Sequence, residues 1–538
     1  MKRLEKKGLK KTNIYRIFIE LVAVGSITGV IVGVIATFFS ILVHEGETIS
    51  RDVYAYVREN PIFIPFLLLA LLAGAFLVGV LVNITPVIRG GGVPQAVGAS
   101  RGIVRFKWWR DLPAMFAASL ISIFLGLSIG AEGPSVLIGA AGGDGVASIT
   151  RRNQMIRKYQ ITGGACTGLA VAFNAPLTGM AFAFEEAHKR FTPEVFICAF
   201  SSVIFGVLTR TLIYQAMGLE IVSAFRAYLL IDLPIHYYGY VVVSGLVCGF
   251  LGIGFYKLCL KMRKVFSKIY VKNEWWSNLS RVMTAVLIGG VFSFLAAGVM
   301  GGGHGLIESL GSQDGITQQI AESVFGLPLI WALLIILVLK SLIIAINVGS
   351  KIPCGIFIPM LAIGACIGGI LSNIWLEIDP AFAPYCDLLV MLCMVAFFTT
   401  VARAPITSII MICEFTGSFV PLLPVIIAVS LGYIIGELCK TAGIYEYFLE
   451  EYERETGIHE RAEQVVYSLT VGIGAVAEQR EIRDVLWPGD ARVTQILRGE
   501  EHILPNGETI LRSGDTLTIV CKTEEPEKIK DELEHILG

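Results

Sequence analysis

The chain has 538 residues, of which 54% are hydrophobic and 16% are charged, and its mean hydropathy is +0.70. This composition excludes a soluble globular protein and indicates an integral membrane protein. The formal net charge of −1 points to no charged macromolecular partner, and we expect no nucleic acid. The eleven cysteines are scattered mostly in apolar runs without paired metal-ligand spacing, so we expect no metal site.

Residues 1–16 form a basic N-terminal arm. The excess of lysine and arginine beside a membrane span predicts that this arm is cytoplasmic. The first two apolar segments run from Ile17 to Val43 and from Pro61 to Ile88. Further apolar segments are expected at about 193–217, 237–260, 280–300, 327–348, 355–374, 385–402 and 404–437.

Three consecutive glycines, Gly90 to Gly92, follow the second segment and precede Pro94. Glycines allow close backbone approach, and proline favours the first turn of a helix. A simple loop between spans is the alternative interpretation of this stretch.

Glu132 is the only ionisable residue between Pro113 and Gly143. A charge at the centre of a membrane span costs about 2.5–3.5 kcal/mol on insertion scales, so a retained one usually has a function. Gly133 and Pro134 predict that a helix begins here, and the free amides at a helix N-terminus attract anions. A carboxylate there can occupy the anion site, leave it, or take up a proton.

The sequence contains one internal repeat. Ala175-Pro176-Leu177-Thr178 is followed by Glu185, and Ala404-Pro405-Ile406-Thr407 is followed by Glu414 at the same spacing. Each copy lies downstream of an apolar segment broken by glycine and proline. Interrupted helices at matching positions in two halves are typical of a transporter with its site at the repeat interface. The first copy ends an apolar segment predicted from Ile161 to Phe184.

His304 lies in the glycine-rich turn between Gly301 and Gly305. It is alone in this turn, which we interpret as flexible, and a lone histidine argues against a metal-ligand role.

Charged residues become frequent after Tyr452, and short apolar segments alternate with turns. Strand-like stretches run from Gln464 to Ile473, Arg492 to Leu497 and Thr516 to Val520, and a helix is predicted from Pro526 to Leu537. This pattern predicts a small soluble α+β domain, which positive-inside topology makes cytoplasmic.

Residues 17–450 resemble the CLC family of chloride channels and chloride/proton exchangers. The resemblance depends on an ordered set of motifs: Gly90 to Pro94, Gly130 to Pro134, Phe173 to Leu177, Glu185-Glu186, Gly355 to Pro359 and Tyr445. It implies an all-α polytopic fold of tilted, broken helices in residues 17–452, with inverted repeats at about 17–217 and 228–450. It also implies a homodimer with one pore per subunit, in the cell membrane.

The same resemblance implies roles for individual residues. Glu132 matches the external gating glutamate, which also carries protons, and Glu186 matches the internal proton-transfer glutamate. Anion contacts are implied at Gly91, Gly92, Ile356, Phe357 and Tyr445.

Three positions depart from the family's pattern. Gly91 replaces the usual serine, which puts chloride-over-nitrate selectivity in question. Ala131 and Val97 replace an arginine and a glutamate that would form a buried ion pair, and losing both partners can be nearly neutral. Relatives that export fluoride usually lack the tyrosine, so Tyr445 argues against that anion.

Residues 455–538 resemble a TrkA-C (RCK-C) domain, through Pro488 to Val493, Ile503 to Pro505, Leu511 and Gly514-Asp515. Such domains dimerise and sense ligands in potassium transporters, and some bind cyclic di-AMP. The resemblance therefore implies a regulatory dimer, with a purely structural dimerisation module as the alternative.

Together these features predict a secondary-active chloride/proton antiporter without an enzymatic activity or a cofactor for catalysis. A passive anion channel of the same fold is the close alternative, and other halides or nitrate are alternative anions. A potassium-transport component, suggested by the C-terminal domain, is a further alternative, but no TVGYG-type filter sequence is present.

Overall fold

A computed structural model describes residues 2–189, 191–220, 228, 230–311, 327–456, 463–499, 501–523 and 526–538. These residues form a helical membrane domain followed by a small domain that contains a β-sheet. The helices of the first half are α1 (Lys2–Glu59), α2 (Ile64–Ile84), α3 (Val93–Arg101), α4 (Trp108–Phe124), α5 (Glu132–Ile149), α6 (Gln154–Phe173), α7 (Pro176–Phe182) and α8 (Pro193–Ala216).

The second half of the membrane domain repeats this pattern of long and short helices. Its described helices are α9 (Tyr238–Ser267), α10 (Glu274–Leu295), α11 (His304–Gly311), α12 (Leu329–Ser350), α13 (Phe357–Ile378), α14 (Cys386–Ala402), α15 (Pro405–Thr416), α16 (Leu422–Leu438) and α17 (Ile444–Thr456).

Eight helical segments in the described part of the chain are long and apolar enough to cross a membrane. The peripheral helices α1 and α2 expose apolar side chains such as Ile19 and Phe66, whereas α13 and α14 are buried on nearly all sides. Apolar side chains on the outside suit contact with lipid, so the chain is a multi-pass membrane protein.

Two predicted apolar segments were wrong as single spans, because each is divided into two helices. Asn174, with a φ of 54°, ends α6 in the left-handed region, and Pro176 starts α7. In the second half, Gly417 has a φ of 65° and separates α15 from α16. A left-handed residue followed by proline stops one helix and starts another.

The first span also differs from its prediction, since α1 does not end at Val43 but continues to Glu59. No proline interrupts residues 44–59, and the helix stops directly before Asn60 and Pro61. The residue before a proline is disfavoured in the helical region, which accounts for this end point.

The internal repeat corresponds to a reciprocal contact between the two halves. The Glu414 carboxylate accepts hydrogen bonds from the amides of Leu177 (2.6 Å) and Thr178 (2.7 Å), at the start of α7. The Glu185 carboxylate accepts hydrogen bonds from Ile406 (2.8 Å) and the next amide, Thr407 (2.6 Å), at the start of α15. Each repeat thereby caps the proline-led helix of the other, where amides have no partner within their own helix.

The C-terminal domain contains a four-stranded antiparallel sheet in the order β1-β4-β2-β3. Its strands are β1 (Glu463–Thr470), β2 (Arg492–Arg498), β3 (Glu501–Ile503) and β4 (Thr516–Thr523), and the closing helix is α18 (Pro526–Leu537). Three strands and the helix follow the prediction, while the three-residue β3 is too short to show a pattern in sequence. Leu533 and Ile536 pack α18 against Ile519 and Leu517 of the sheet.

The C-terminal domain is joined to the membrane domain by side-chain contacts. Lys158 of α6 pairs with Glu532 of α18 (2.9 Å), and both side chains are largely buried. Arg480 pairs with the buried carboxylate of Glu194 at the start of α8 (2.5 Å), and Met155 packs into the core of the C-terminal domain.

Asp515 and Arg498 form a two-hydrogen-bond ion pair in this domain, with both distances 2.8 Å. Burial alone would raise the pKa of the Asp515 carboxyl, but Arg498 and the Arg512 amide hold that pKa below its usual range. A carboxyl with a lowered pKa in the folded state stabilises the fold above its unfolded pKa of about 3.9, and this contribution is lost as the pH falls below that value.

Asp515→Asn should therefore destabilise the C-terminal domain by about 3 kcal/mol, since it leaves the Arg498 guanidinium without its partner charge. We expect hydrogen exchange of the β4 amides in the purified full-length protein to accelerate roughly 100-fold at neutral pH. Glu508→Gln is the control, because the Arg483–Glu508 pair is exposed on both sides. Equal exchange in the two variants would contradict a stabilising role for the buried pair.

Candidate functional site

Three glycine-containing loops meet in the interior of the membrane domain. Gly130 and Gly355 exchange two backbone hydrogen bonds, of 2.8 and 2.9 Å, across the two halves of the chain. A Cβ atom on Gly133 would lie 2.0 Å from the carbonyl oxygen of Gly91, and one on Gly92 would lie 2.5 Å from the carbonyl oxygen of Gly133. Only glycine permits such close backbone contacts, and Gly92 also has a φ of 86°.

This junction points the N-termini of several helices at one internal cavity. The first residues of three helices line that cavity: Val93 of α3, Glu132 of α5 and Phe357 of α13. Helix N-termini carry free amide donors and a partial positive charge, so their convergence favours an anion. The cavity has a volume of only about 10 Å³, near that required for one water molecule, so a larger ion needs a small displacement of its lining.

The cavity also brings together residues that are distant in sequence. Its lining includes Glu132, Glu186, Phe357 and Tyr445, which were four of the predicted site residues. The hydroxyl of Tyr445 is buried and has no hydrogen-bond partner among the described residues. A buried hydroxyl normally has a partner, so this one is available to an ion in the cavity.

A second cavity, also of about 10 Å³, is lined by Tyr445 as well. Gly91 and Ile356, two further predicted site residues, line it. Gly92 lines neither of the two cavities and instead packs against the backbone of Gly133. Tyr445 is the residue that both cavities share.

Arg263 lines the second cavity and was not among the predicted residues. Its side chain is only 10% exposed, pairs with Glu451 at 2.6 Å and lies over the ring of Phe448. Sequence reasoning missed it because one basic residue among several at the end of an apolar helix is typical of an interfacial anchor. Arg263 thus brings a guanidinium group, paired with Glu451, to the cavity that Gly91 lines.

Glu132 is buried at the start of α5, and its carboxylate is 5% exposed. One of its oxygens, Oε2, has no hydrogen-bond partner among the described residues. The other, Oε1, lies 3.6 Å from Nε2 of His304. His304 was not among the predicted site residues, and the fold brings its loop, from the second half of the chain, against the start of α5.

Glu186 lies in a π-helical turn that spans Ala183–Ala187. Such turns are rare and frequently occur at functional sites. Arg101 of α3 donates to the backbone carbonyls of Glu186 (2.9 Å) and Ala187 (2.8 Å), and it pairs with Glu446. The turn is thus tied to α3, whose first residue lines the same cavity as the Glu186 side chain.

Glu132 and Glu186 face opposite sides of the membrane domain. The Glu186 turn is bound by Arg101, and the next residue, Gly102, lies against Lys158 near the start of α6. Arg152, just before α6, pairs with Glu20 of α1, whereas Glu47 of the same helix lines a vestibule of about 290 Å³ with His304. At 1.5 Å per residue, Glu20 and Glu47 are about 40 Å apart along α1. The shared cavity therefore lies between two opposite surfaces.

Comparison with known proteins identifies two matching families. The family described as voltage gated chloride channel matches residues 73–437, and the family described as TrkA-C domain matches residues 466–534. The H(+)/Cl(-) exchange transporter ClcA of Vibrio cholerae is 30% identical over 425 residues, covering 76% of this chain and 84% of its own. ClcA of Yersinia pseudotuberculosis is 28% identical over 440 residues, covering 80% of this chain and 87% of its own.

Solved structures show the same fold. A slow cyanobacterial Cl-/H+ antiporter aligns with a TM-score of 0.71 at 22% identity, covering 81% of this chain and 99% of its own. A CLC-type fluoride/proton antiporter aligns with a TM-score of 0.60 at 22% identity, covering 79% of this chain and 96% of its own. The predicted all-α polytopic fold with broken helices is confirmed.

The contact between Gly133 and Gly91 makes a specific mutational prediction. Gly133→Ala should prevent the loops from meeting, because its Cβ would lie 2.0 Å from a backbone oxygen that cannot rotate away. We expect a lower thermal unfolding temperature in detergent and loss of transport. The matched control is Gly254→Ala in α9, where nothing lies within 4 Å of the added atom. A Gly133→Ala protein as stable and active as the control would contradict the close contact.

Proposed function

Because this chain belongs to the voltage-gated chloride channel (CLC) family, we propose that it is a secondary-active chloride/proton antiporter. The observation that carries this proposal is the cavity between α3, α5 and α13, which combines three helix N-termini with both Glu132 and Glu186. Helix termini favour an anion, and two carboxylates on opposite sides of the membrane domain supply a route for protons.

The anion binds where amides and a hydroxyl replace its water. The amides at the start of α13, near Ile356 and Phe357, bind a halide together with the Tyr445 hydroxyl, which has no partner in the described part of the chain. No full positive charge is then needed at the centre of the route. Such a site binds the anion strongly enough for it to enter, yet weakly enough for it to leave. At the second cavity, the guanidinium of Arg263 supplies hydrogen-bond donors while its charge is balanced by Glu451.

The carboxylate of Glu132 competes with the anion. When the carboxylate is ionised, it occupies the positive end of α5 and closes the route. When it is protonated, it loses its charge, and chloride can replace it at that site. A proton taken up at Glu132 continues to Glu186 through the shared cavity, since both side chains line it. Movement of anion and proton in opposite directions follows when neither can pass Glu132 without displacing the other.

A passive anion channel of the same fold is the second candidate. It requires the same helix termini and the same Tyr445, but it gives Glu186 no role in proton transfer. The carboxylate of Glu186 in the cavity lining favours exchange over this alternative. A potassium-transport component is less favoured, because helix N-termini rather than rings of carbonyl oxygens face the cavity.

The C-terminal domain is proposed to regulate transport from the Glu186 side. Its contacts through Lys158 and Glu194 are with the starts of α6 and α8, which flank the π-turn of Glu186. A ligand that shifts this domain therefore acts on the helices beside the proton glutamate. Cyclic di-AMP is the proposed ligand class, on the TrkA-C resemblance alone, and absence of binding by calorimetry to the full-length protein would remove it.

We further propose a homodimer in the cell membrane with the N-terminus and the C-terminal domain in the cytoplasm. The pairing of Glu20 with Arg152 supports a location of the start of α1 on the same side of the membrane as the C-terminal domain, because that domain contacts Lys158, six residues after Arg152. The basic arm at residues 1–16 supports the cytoplasm as that side.

Reconstituted protein in chloride-loaded liposomes tests the antiport directly. We expect chloride efflux to drive protons against their gradient, Glu132→Ala to pass chloride without protons, and Glu186→Ala to lose proton transport more than chloride transport. The exposed Glu274 provides the control, Glu274→Ala, which should match the parent protein. Chloride efflux without proton movement in the parent protein would instead identify a channel.

The missing hydroxyl at Gly91 predicts weak selectivity among anions. A serine needs only a shift of a few tenths of an ångström there, because an added Cβ would approach only the Cys354 carbonyl oxygen, at 3.1 Å, and the backbone is not in the left-handed region. Gly91→Ser should therefore raise the chloride-to-nitrate flux ratio without unfolding the protein. An unchanged ratio would show that the second cavity does not select the anion.

A further inference from the structure

We propose that His304 is a proton-relay residue that passes protons from the vestibule to Glu132. This inference deepens the proposed exchange function and depends on it. The imidazole of His304 is 36% exposed and lines the vestibule, while the Glu132 carboxylate beside it is 5% exposed. His304 thus connects water-accessible space with a carboxylate that water scarcely reaches.

Histidine is suited to this task by its chemistry. Its unperturbed pKa lies close to physiological pH, and its two ring nitrogens can bind a proton on one side and release another on the other. The 3.6 Å between Nε2 and Glu132 Oε1 exceeds a hydrogen bond. A small side-chain rotation or one bridging water molecule closes that gap during transfer.

The proton-transfer step is balanced without any further reactant. A proton from vestibule water binds the neutral ring, the Nε2–H bond breaks as an Oε1–H bond forms, and the Glu132 carboxylate becomes a neutral acid. The ring is again neutral, with its one proton on Nδ1, and it returns to its starting tautomer by releasing that proton to vestibule water and taking one from water at Nε2. One proton has then moved from the vestibule to the site where Glu132 competes with the anion.

The loop before His304 is held on two sides, which fixes the ring against Glu132. The buried ammonium of Lys340 donates to the carbonyls of Gly301 and Val299, both at 3.2 Å. The Glu47 carboxylate accepts from the amide of Gly302 at 3.0 Å. Lys340 and Glu47 are therefore positioning residues for the relay.

Charged groups of both signs surround the ring. Glu132 on α5, Glu47 on α1 and Glu308 on its own helix act on His304 electrostatically, and Arg51 of α1 lies at the next residue, Gly305. The Lys340 ammonium of α12 lies at Gly303, and Asp387 of α14 interacts with Tyr228 at the other end of α11. Burial of the ring disfavours its protonated form, whereas the three carboxylates favour that form, which is the one that donates.

The test uses full-length protein reconstituted in vesicles. Vesicles whose protein exposes the C-terminal domain are removed by affinity capture, so that in the remaining vesicles the vestibule faces the outer solution. We expect His304→Gln to slow exchange roughly tenfold at neutral outer pH, less than the 10²–10⁴ of a fully positioned acid because some water still reaches Glu132. The outer-pH dependence between about pH 5 and 8 should flatten, while the chloride-to-proton ratio and the inner-pH dependence stay unchanged.

A second variant distinguishes a proton-relay role of His304 from a purely structural one. His304→Ala should also be slow, and imidazole added to the outer solution should restore its rate, whereas imidazole inside should not. His44→Gln is the control, since His44 is exposed on α1 one turn before Glu47. An unaltered outer-pH profile in both His304 variants, or slow exchange that imidazole does not rescue, would overturn the relay. Absence of proton coupling in the parent protein would instead overturn the proposed function itself.

Discussion

The structure depends on backbone-to-backbone contact between the two halves at Gly130 and Gly355. Two hydrogen bonds between loops deep in a membrane domain are unusual, because non-helical backbone at that depth is tolerated only where protein or a cavity surrounds it. Here the loops satisfy one another. The first amides of α5 and α13 follow these loops and, as at any helix N-terminus, have no partner within their own helix. The geometry that satisfies the loop backbone therefore also creates the anion site.

The charged groups inside the membrane domain are handled in two different ways. Glu185 and Glu414 are satisfied by helix amides, and Lys340 by carbonyl oxygens and the Ser128 hydroxyl, so these charges stabilise the fold. Glu132 and Tyr445, which line the cavity, instead each have an oxygen atom without a partner among the residues that the structure describes. An unpartnered buried oxygen costs stability, and its retention is understandable where an ion or a proton visits it.

Much of this organisation could be predicted from sequence, because broken helices have strong local signals. Glycine and proline marked the starts of α3, α5 and α13, and the Ala-Pro repeat revealed the two halves. Local patterns could not show that His304 meets Glu132 or that Arg263 lies beside Gly91, since these pairs are distant in sequence and meet only through the fold. The division at Asn174 was missed because asparagine in the left-handed region is a weak signal beside a continuous apolar run.

The reciprocal caps have a consequence for biosynthesis. Leu177 lies 237 positions before its partner Glu414, and a ribosome adds about 5–20 residues per second. The start of α7 therefore waits roughly 10–50 s for its cap after it is made. During that interval its free amides and the unpaired Glu185 require water, lipid headgroups or the membrane-insertion machinery as temporary partners. The first half of the chain thus depends on such temporary partners until the second half has been synthesised.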